Sequence, residues 1–207
     1  MVVGAVIKWF AAPNVAVRGL TWDGKTQWYS DSTVPLIYQV NPITGAVIKS
    51  FAPPDTEPQD LAWDGKTLWH CDNHSDRIYQ IDPITGVIIK WFASPSIGPR
   101  GLTWDGKTLW HSDHDALRIY QIDPITGAVI KFFAAPGASP KGLAWDGHIL
   151  WHCDSNTNRI YQIDPITGAV IQWFVTPDSS PRGLTWDGHT LWVCTDTLNR
   201  IYQLETH

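Results

Sequence analysis

The side chains with the most chemical potential are cationic and recur at one interval. Arg18, Arg100, Lys141 and Arg182 lie on a lattice of 41 residues, and Gln59 occupies its fifth point. Cations brought together from equivalent positions repel, so they require internal carboxylates or a bound anion. Forked guanidinium donors suit phosphate, sulfate or a ligand carboxylate. Asp60 and the recurring Asp31, Asp72, Asp113 and Asp154 are candidates for internal pairing. Two expectations stand side by side: an internally paired ring, or a site for a small anion or small molecule lined by Arg18, Gln59, Arg100, Lys141 and Arg182.

Carboxylates supply the other chemistry. Where other repeats read Pro-Arg-Gly-Leu or Pro-Lys-Gly-Leu, one reads Glu57-Pro58-Gln59-Asp60-Leu61. Asp60 replaces a glycine that lets neighbouring strands approach. Drift explains it, or a local site in which Glu57 and Asp60 form the acid and base of an enzyme. The repeating Asp31, Asp72, Asp113 and Asp154, followed by Arg77, Arg118, Arg159 and Arg200, read as a clasp. Each carboxylate caps loop amides or pairs with the arginine across the loop.

Histidine and cysteine recur too, but at packing positions. His70, His111 and His152 share a slot with Tyr29 and Val193, and Cys71, Cys153 and Cys194 share one with Ser30 and Ser112. Equivalent residues of a repeat lie on the order of 10 Å apart, a sheet thickness. Zinc needs nitrogens at about 2 Å, and a disulfide needs Cβ atoms about 4 Å apart. Packed histidines and free, buried thiols are expected, with no metal and no cofactor. Neither a phosphate-binding Gly-Lys-Ser/Thr loop nor a Gly-x-Ser-x-Gly elbow is present.

The elements that position these residues follow from the same period. Trp22, Trp63, Trp104, Trp145 and Trp186 repeat every 41 residues, as do Tyr38, Tyr79, Tyr120, Tyr161 and Tyr202. A period of roughly 40–45 residues rich in aromatic and glycine signals marks a blade of a β-propeller. In the third repeat, strands are expected over 101–104, 108–112, 118–122 and 128–133, with Asp105-Gly106 and Pro124-Ile125-Thr126-Gly127 as tight turns. The first strand of each blade lies nearest the axis, and the loops that vary, such as 55–58 and 96–99, share one face. Gly4 to Phe10 matches a fourth strand, whereas Ile201 to Leu204 is a third strand and ends the pattern. The expectation is an all-β, five-bladed propeller with four antiparallel strands per blade. It spans 1–207 as a single domain, and residues 1–11 supply the outer strand of the fifth blade. In that arrangement Ile7, Trp9 and Phe10 bury against the fifth blade.

Composition narrows the partners. The 207 residues carry a net charge of −5 with only 17% charged side chains, so no basic face for nucleic acid is expected. No apolar run approaches the 18 or so residues of a membrane span. Met1 leads straight into repeat sequence, so no signal peptide is visible, and a monomer is expected.

Gly-Leu-x-Trp-Asp-Gly-x-x-Leu-Trp followed by Arg-Ile-Tyr-Gln-Ile-Asp-Pro-x-Thr-Gly resembles the blades of NHL, YVTN and streptogramin-lyase-like propellers. Pro-Arg-Gly-Leu-Thr-Trp-Asp-Gly is also similar to blades of the five-bladed glutaminyl cyclases of plants and bacteria. That likeness implies a catalytic glutamate, for which this chain has only Glu57 and Glu205. The near-identity of the repeats also looks like a designed, consensus or recently amplified propeller. The first functional reading is a scaffold or binding module whose ligand lies on the variable-loop face near the axis. A cyclase-like or lyase-like enzyme is the alternative. A lectin-like module, stacking sugars on Trp9, Trp91 and Trp173, is the third.

Overall fold

The computed structural model describes residues 3–12 and 16–206. Their strands form five sheets of four, antiparallel in every pairing, and no helix occurs among the described residues. The innermost strands are Val17–Trp22, Pro58–Trp63, Pro99–Trp104, Pro140–Trp145 and Pro181–Trp186. Each touches its two neighbours in the ring, Pro181–Trp186 meeting Val17–Trp22. In the third blade the next strands are Leu109–Asp113, Arg118–Ile122 and Val129–Ala134. These lie within two residues of the expected boundaries.

Packing between blades forms the core. The second strands are buried on both faces because each is sandwiched between adjacent blades. Trp28, Trp69, Trp110, Trp151 and Trp192 are each 2% exposed. Trp28 packs on Leu61, Leu68, Tyr79 and Ile81 of the following blade, and Trp69 repeats this one blade on. Each indole N–H is satisfied by the aspartate of the Asp-Gly turn, Trp28 Nε1 donating to Asp23 at 2.8 Å. Asp23 also accepts from Thr26 Oγ1 at 2.6 Å and from the Lys25 N–H at 2.9 Å. The Asp-Gly signal therefore marks a carboxylate-centred loop rather than a two-residue hairpin.

The ring closes between the chain ends. Val6–Ala11 pairs with Arg200–Leu204 and completes the fifth blade. Residues 1 and 2 of the closing segment lie outside the described residues. Gly4 N donates to Glu205 O at 2.9 Å, as Gly45 N donates to Asn41 O at 2.8 Å in the first blade. The tight turn of the last blade is thus rebuilt from the two ends. Phe10 packs on Trp192 with ring centroids 6.1 Å apart. Ile7 and Trp9, expected to be buried, are 44% and 49% exposed because they project from the outer edge.

The clasp is a cap on the loop. Asp31 accepts the amides of Ala16 at 3.1 Å, Thr33 at 2.8 Å and Val34 at 2.9 Å. Arg77, Arg159 and Arg200 stack on Trp91, Trp173 and Trp9 at 3.6–3.7 Å, and Arg118 stacks on Phe132 at 4.3 Å. The fifth blade has Thr195 in place of the capping carboxylate. Asp178 from the preceding loop replaces it, accepting from Thr195 Oγ1 at 2.8 Å and Leu198 N at 3.1 Å.

Candidate functional site

Each inner strand opens with a β-bulge, where one strand carries an unpaired extra residue that re-aims its side chain. The register with the second strand slips between Val17 and Leu20, Pro58 and Leu61, Pro99 and Gly101, Pro140 and Leu143, and Pro181 and Leu184. Arg18, Gln59, Arg100, Lys141 and Arg182 all lie in these slips. Their side chains line a single cavity of about 370 Å³ at the axis, joined by Ser32, Glu57 and Asn73.

The ring is compensated on one side only. Asp196 pairs with Arg18 Nη1 at 2.8 Å and with Arg182 Nη2 at 2.7 Å. Arg18 Nε also donates to Ser32 at 2.8 Å. Among the described residues, Arg100 and Lys141 have no carboxylate within 4.0 Å. Arg100 Nε and Arg182 Nε are buried with no acceptor. Burial, then the charges of Arg100 and Arg182, push the Lys141 ammonium down to about 7. Burial likewise lowers Arg100, with Arg182 and Arg18 acting in the same direction. His114, in the adjoining loop, is depressed by burial and then by Lys141 and Arg100.

The aspartates expected to neutralise the ring do other work. The strand-end aspartates cap loops, and Asp60 lies beneath the cavity, 1% exposed. Its carboxylate accepts the amides of Leu20 and Leu61 on one oxygen and Leu102 on the other, each at 2.9 Å. The Leu143 amide bonds to it as well. One side chain thereby ties the inner strands of four blades. Burial pushes the Asp60 carboxyl well above the ordinary range, and the amides pull it back. The equivalent positions are Gly19, Gly101, Gly142 and Gly183, where an added Cβ would collide with the next inner strand. The axis has room for one side chain, and Asp60 fills it. Asp60 is therefore a buried plug and no part of a surface site.

Glu57 and Asp60 are consequently separate. Glu57 lines the mouth and accepts from Asn73 Nδ2 at 2.9 Å. Asp60 is not among the lining residues.

The Ser and Cys slot has a function its sequence does not announce. Ser30 Oγ donates to Gln59 O, and Ser112 Oγ to Lys141 O at 2.5 Å. Cys71, Cys153 and Cys194 donate to the carbonyls of Arg100, Arg182 and Arg18 at 3.4–3.5 Å. Every blade thus hangs the next ring residue by its backbone. The thiols are free and buried, and burial pushes them well above their ordinary value, Cys194 to about 12. His70, His111 and His152 are fully buried and flank Tyr79, Tyr120 and Tyr161. Asp196, Ser32 and Asn73 were not among the expected site residues. They come from loops that vary, whose only sequence signal is their place on the same face.

No protein-family model and no curated protein sequence matches the chain. Solved structures do. A glutaminyl cyclase from Myxococcus xanthus superposes with a TM-score of 0.83 at 14% identity, over 97% of this chain and 95% of that one. A catalytically inactive virginiamycin B lyase from Staphylococcus aureus, solved with quinupristin, gives 0.60 at 21% identity, over 96% and 69%. A nidogen/laminin complex gives 0.62 at 20% identity, over 86% and 72%. At these identities the likeness is one of fold. The chain is a five-bladed β-propeller.

Proposed function

We propose that the protein is a binding module for a small anion, held in the axial cavity between Arg100 and Lys141. The observation that carries this is that neither Arg100 nor Lys141 has an ion-pair partner among the described residues. Four cationic side chains line one cavity, and the carboxylate of Asp196 pairs with Arg18 and Arg182. The free Nε of Arg100 offers a donor with no acceptor. An oxyanion supplies both the charge and the acceptors.

The cyclase reading is weaker on the same geometry. An N-terminal glutaminyl peptide brings an α-amino group into a cavity of like charge. Glu57 is the sole acid among the lining residues, and the lone pairs of Asp60 are occupied. The lectin reading would use indoles already stacked on one face by Arg200, Arg77 and Arg159.

Millimolar sulfate is expected to raise the melting temperature, because a ligand held by the folded state alone stabilises it, by about 1.4 kcal/mol at ten times Kd. Sulfate at high concentration stabilises proteins generally, so the control is Arg100→Gln with Lys141→Gln, which copies Gln59 of the same ring. This double variant should lose the low-concentration gain. Binding requires the charged amine, so affinity should fall as pH rises through about 7, and Lys141→Arg should remove that fall. An equal gain in parent and double variant would mean no site. Turnover of an N-terminal glutaminyl peptide, abolished by Glu57→Gln, would favour the cyclase instead.

A further inference from the structure

We propose that Lys141 captures small 2-oxo acids as a reversible imine, with the acid's carboxylate seated on Arg100. The inference rests on the anion-site reading and extends it from charge to covalent chemistry. Lys141 is the one primary amine among the cavity-lining residues, and it lies in the slot that three other blades fill with arginine. Its 7% exposure removes most of the water that would stabilise an ammonium. No carboxylate within 4.0 Å holds its proton among the described residues. Burial and the flanking guanidinium groups leave it about half neutral near pH 7. A lysine desolvated beside other cations is the recognised form of a nucleophilic amine.

The partner chemistry follows from the rest of the cavity. Arg100 presents an unpartnered Nε, and no carboxylate lies within 4.0 Å of its guanidinium among the described residues. A ligand that satisfies both groups has a carboxylate for the arginine and an electrophilic carbonyl for the amine. A three-carbon 2-oxo acid fits in about 370 Å³ with room for water. The neutral Nζ attacks the carbonyl carbon, and its proton passes to the carbonyl oxygen to give a carbinolamine. Uptake of one proton releases that hydroxyl as water and leaves a protonated imine. The new cation stands beside the bound carboxylate, so the cavity gains no net charge. Hydrolysis reverses each step. Nothing is oxidised or reduced.

Two features oppose non-specific modification as the outcome, although the competing amines are accessible. Lys25, Lys66 and Lys107 are exposed at the Asp-Gly loops. At pH 7 an ordinary lysine is neutral in only about one molecule in 2,500, against about half for Lys141. A neutral ketone such as acetone lacks the group that Arg100 would hold.

The test is trapping with pyruvate and sodium borohydride at pH 7, followed by peptide mapping of the N-carboxyethyl-lysines. Labelling at Lys141 should exceed that at Lys25, Lys66 or Lys107 by at least about tenfold. Sulfate should suppress it, and acetone, which has no carboxylate for Arg100, should label Lys141 far less than pyruvate does at the same concentration. Lys141→Arg and Lys141→Gln use residues already present at this ring position, and both should fold and lose the selective adduct. Equal labelling at all lysines would overturn the proposal. If sulfate still raises the melting temperature in that case, only the imine falls and the anion site stands. Labelling of Lys141 that sulfate does not suppress, and that acetone gives as efficiently as pyruvate, would overturn the role of Arg100, and with it the 2-oxo acid.

Discussion

His70, His111 and His152 are fully buried, and burial pushes each down to about 4. An unfolded histidine takes up its proton near pH 6.5, the folded one only near 4. Stability present above about 6.5 is therefore lost as pH falls towards 4, and no more is lost below that. His152 tests this best, because its Nε2 is buried without a hydrogen-bond partner and the fifth blade already has Val193 in its slot. Relative to the parent, His152→Val should gain about 2 kcal/mol between pH 7 and pH 5. Urea melts at the two pH values measure it, and a constant difference would contradict the assignment. Asp60 makes the complementary case. Its hydrogen-bond partners are all amide donors, so an acid proton on it would face N–H groups without an acceptor. Asp60→Asn aims an NH₂ at those donors and should destabilise by about 3 kcal/mol or more. A near-neutral Asn would show that the acid is already protonated in the folded state.

At the scale of the element, the bulge at the start of the inner strand aims the cations. The Ser or Cys of the second strand fixes the carbonyl behind each of them. Cys194→Ser should be tolerated within about 1 kcal/mol, since Ser30 and Ser112 already make the same bond. Ser112→Ala strands the Lys141 carbonyl and should cost about 1–3 kcal/mol, read by thermal unfolding. An Ala as stable as the parent would mean that the bond between blades contributes nothing. The strand order and turns are legible because Trp104, Tyr120 and Gly127 repeat at fixed offsets and alternate with small or polar residues. The bulge is not legible. A one-residue slip in register leaves no mark on residue type, and Pro99-Arg100-Gly101 reads equally well as regular strand. The two fates of the aspartates are also hidden. Asp31 and Asp196 differ in partner because of loop geometry, which no periodicity reports.

At the scale of the whole molecule, closure depends on the short N-terminal strand. Deleting residues 1–11 removes Phe10 from Trp192 and opens the edge of Arg200–Leu204. Phe10 is the main apolar contact, so Phe10→Ala alone should cost about 3 kcal/mol. The deletion should lower the melting temperature further and promote association through the open edge. A truncated chain that stays monomeric with an unchanged melting temperature would refute closure by that strand. The ring also explains why only one blade carries a side chain at the Asp60 position. Five blades converge on an axis that admits one side chain. The break is visible in Glu57-Pro58-Gln59-Asp60-Leu61, but its direction is not, because a carboxylate at a glycine position could equally face solvent.

In the proposed function the cations above this plug hold an anion. A crystal soaked in selenate, with anomalous scattering recorded at the selenium edge, tests it most directly. An ordered selenate is expected between the Arg100 guanidinium and Lys141 Nζ, absent from crystals of the Arg100→Gln, Lys141→Gln variant. A cavity that holds only water in the parent, with selenate confined to the outer surface, would contradict it.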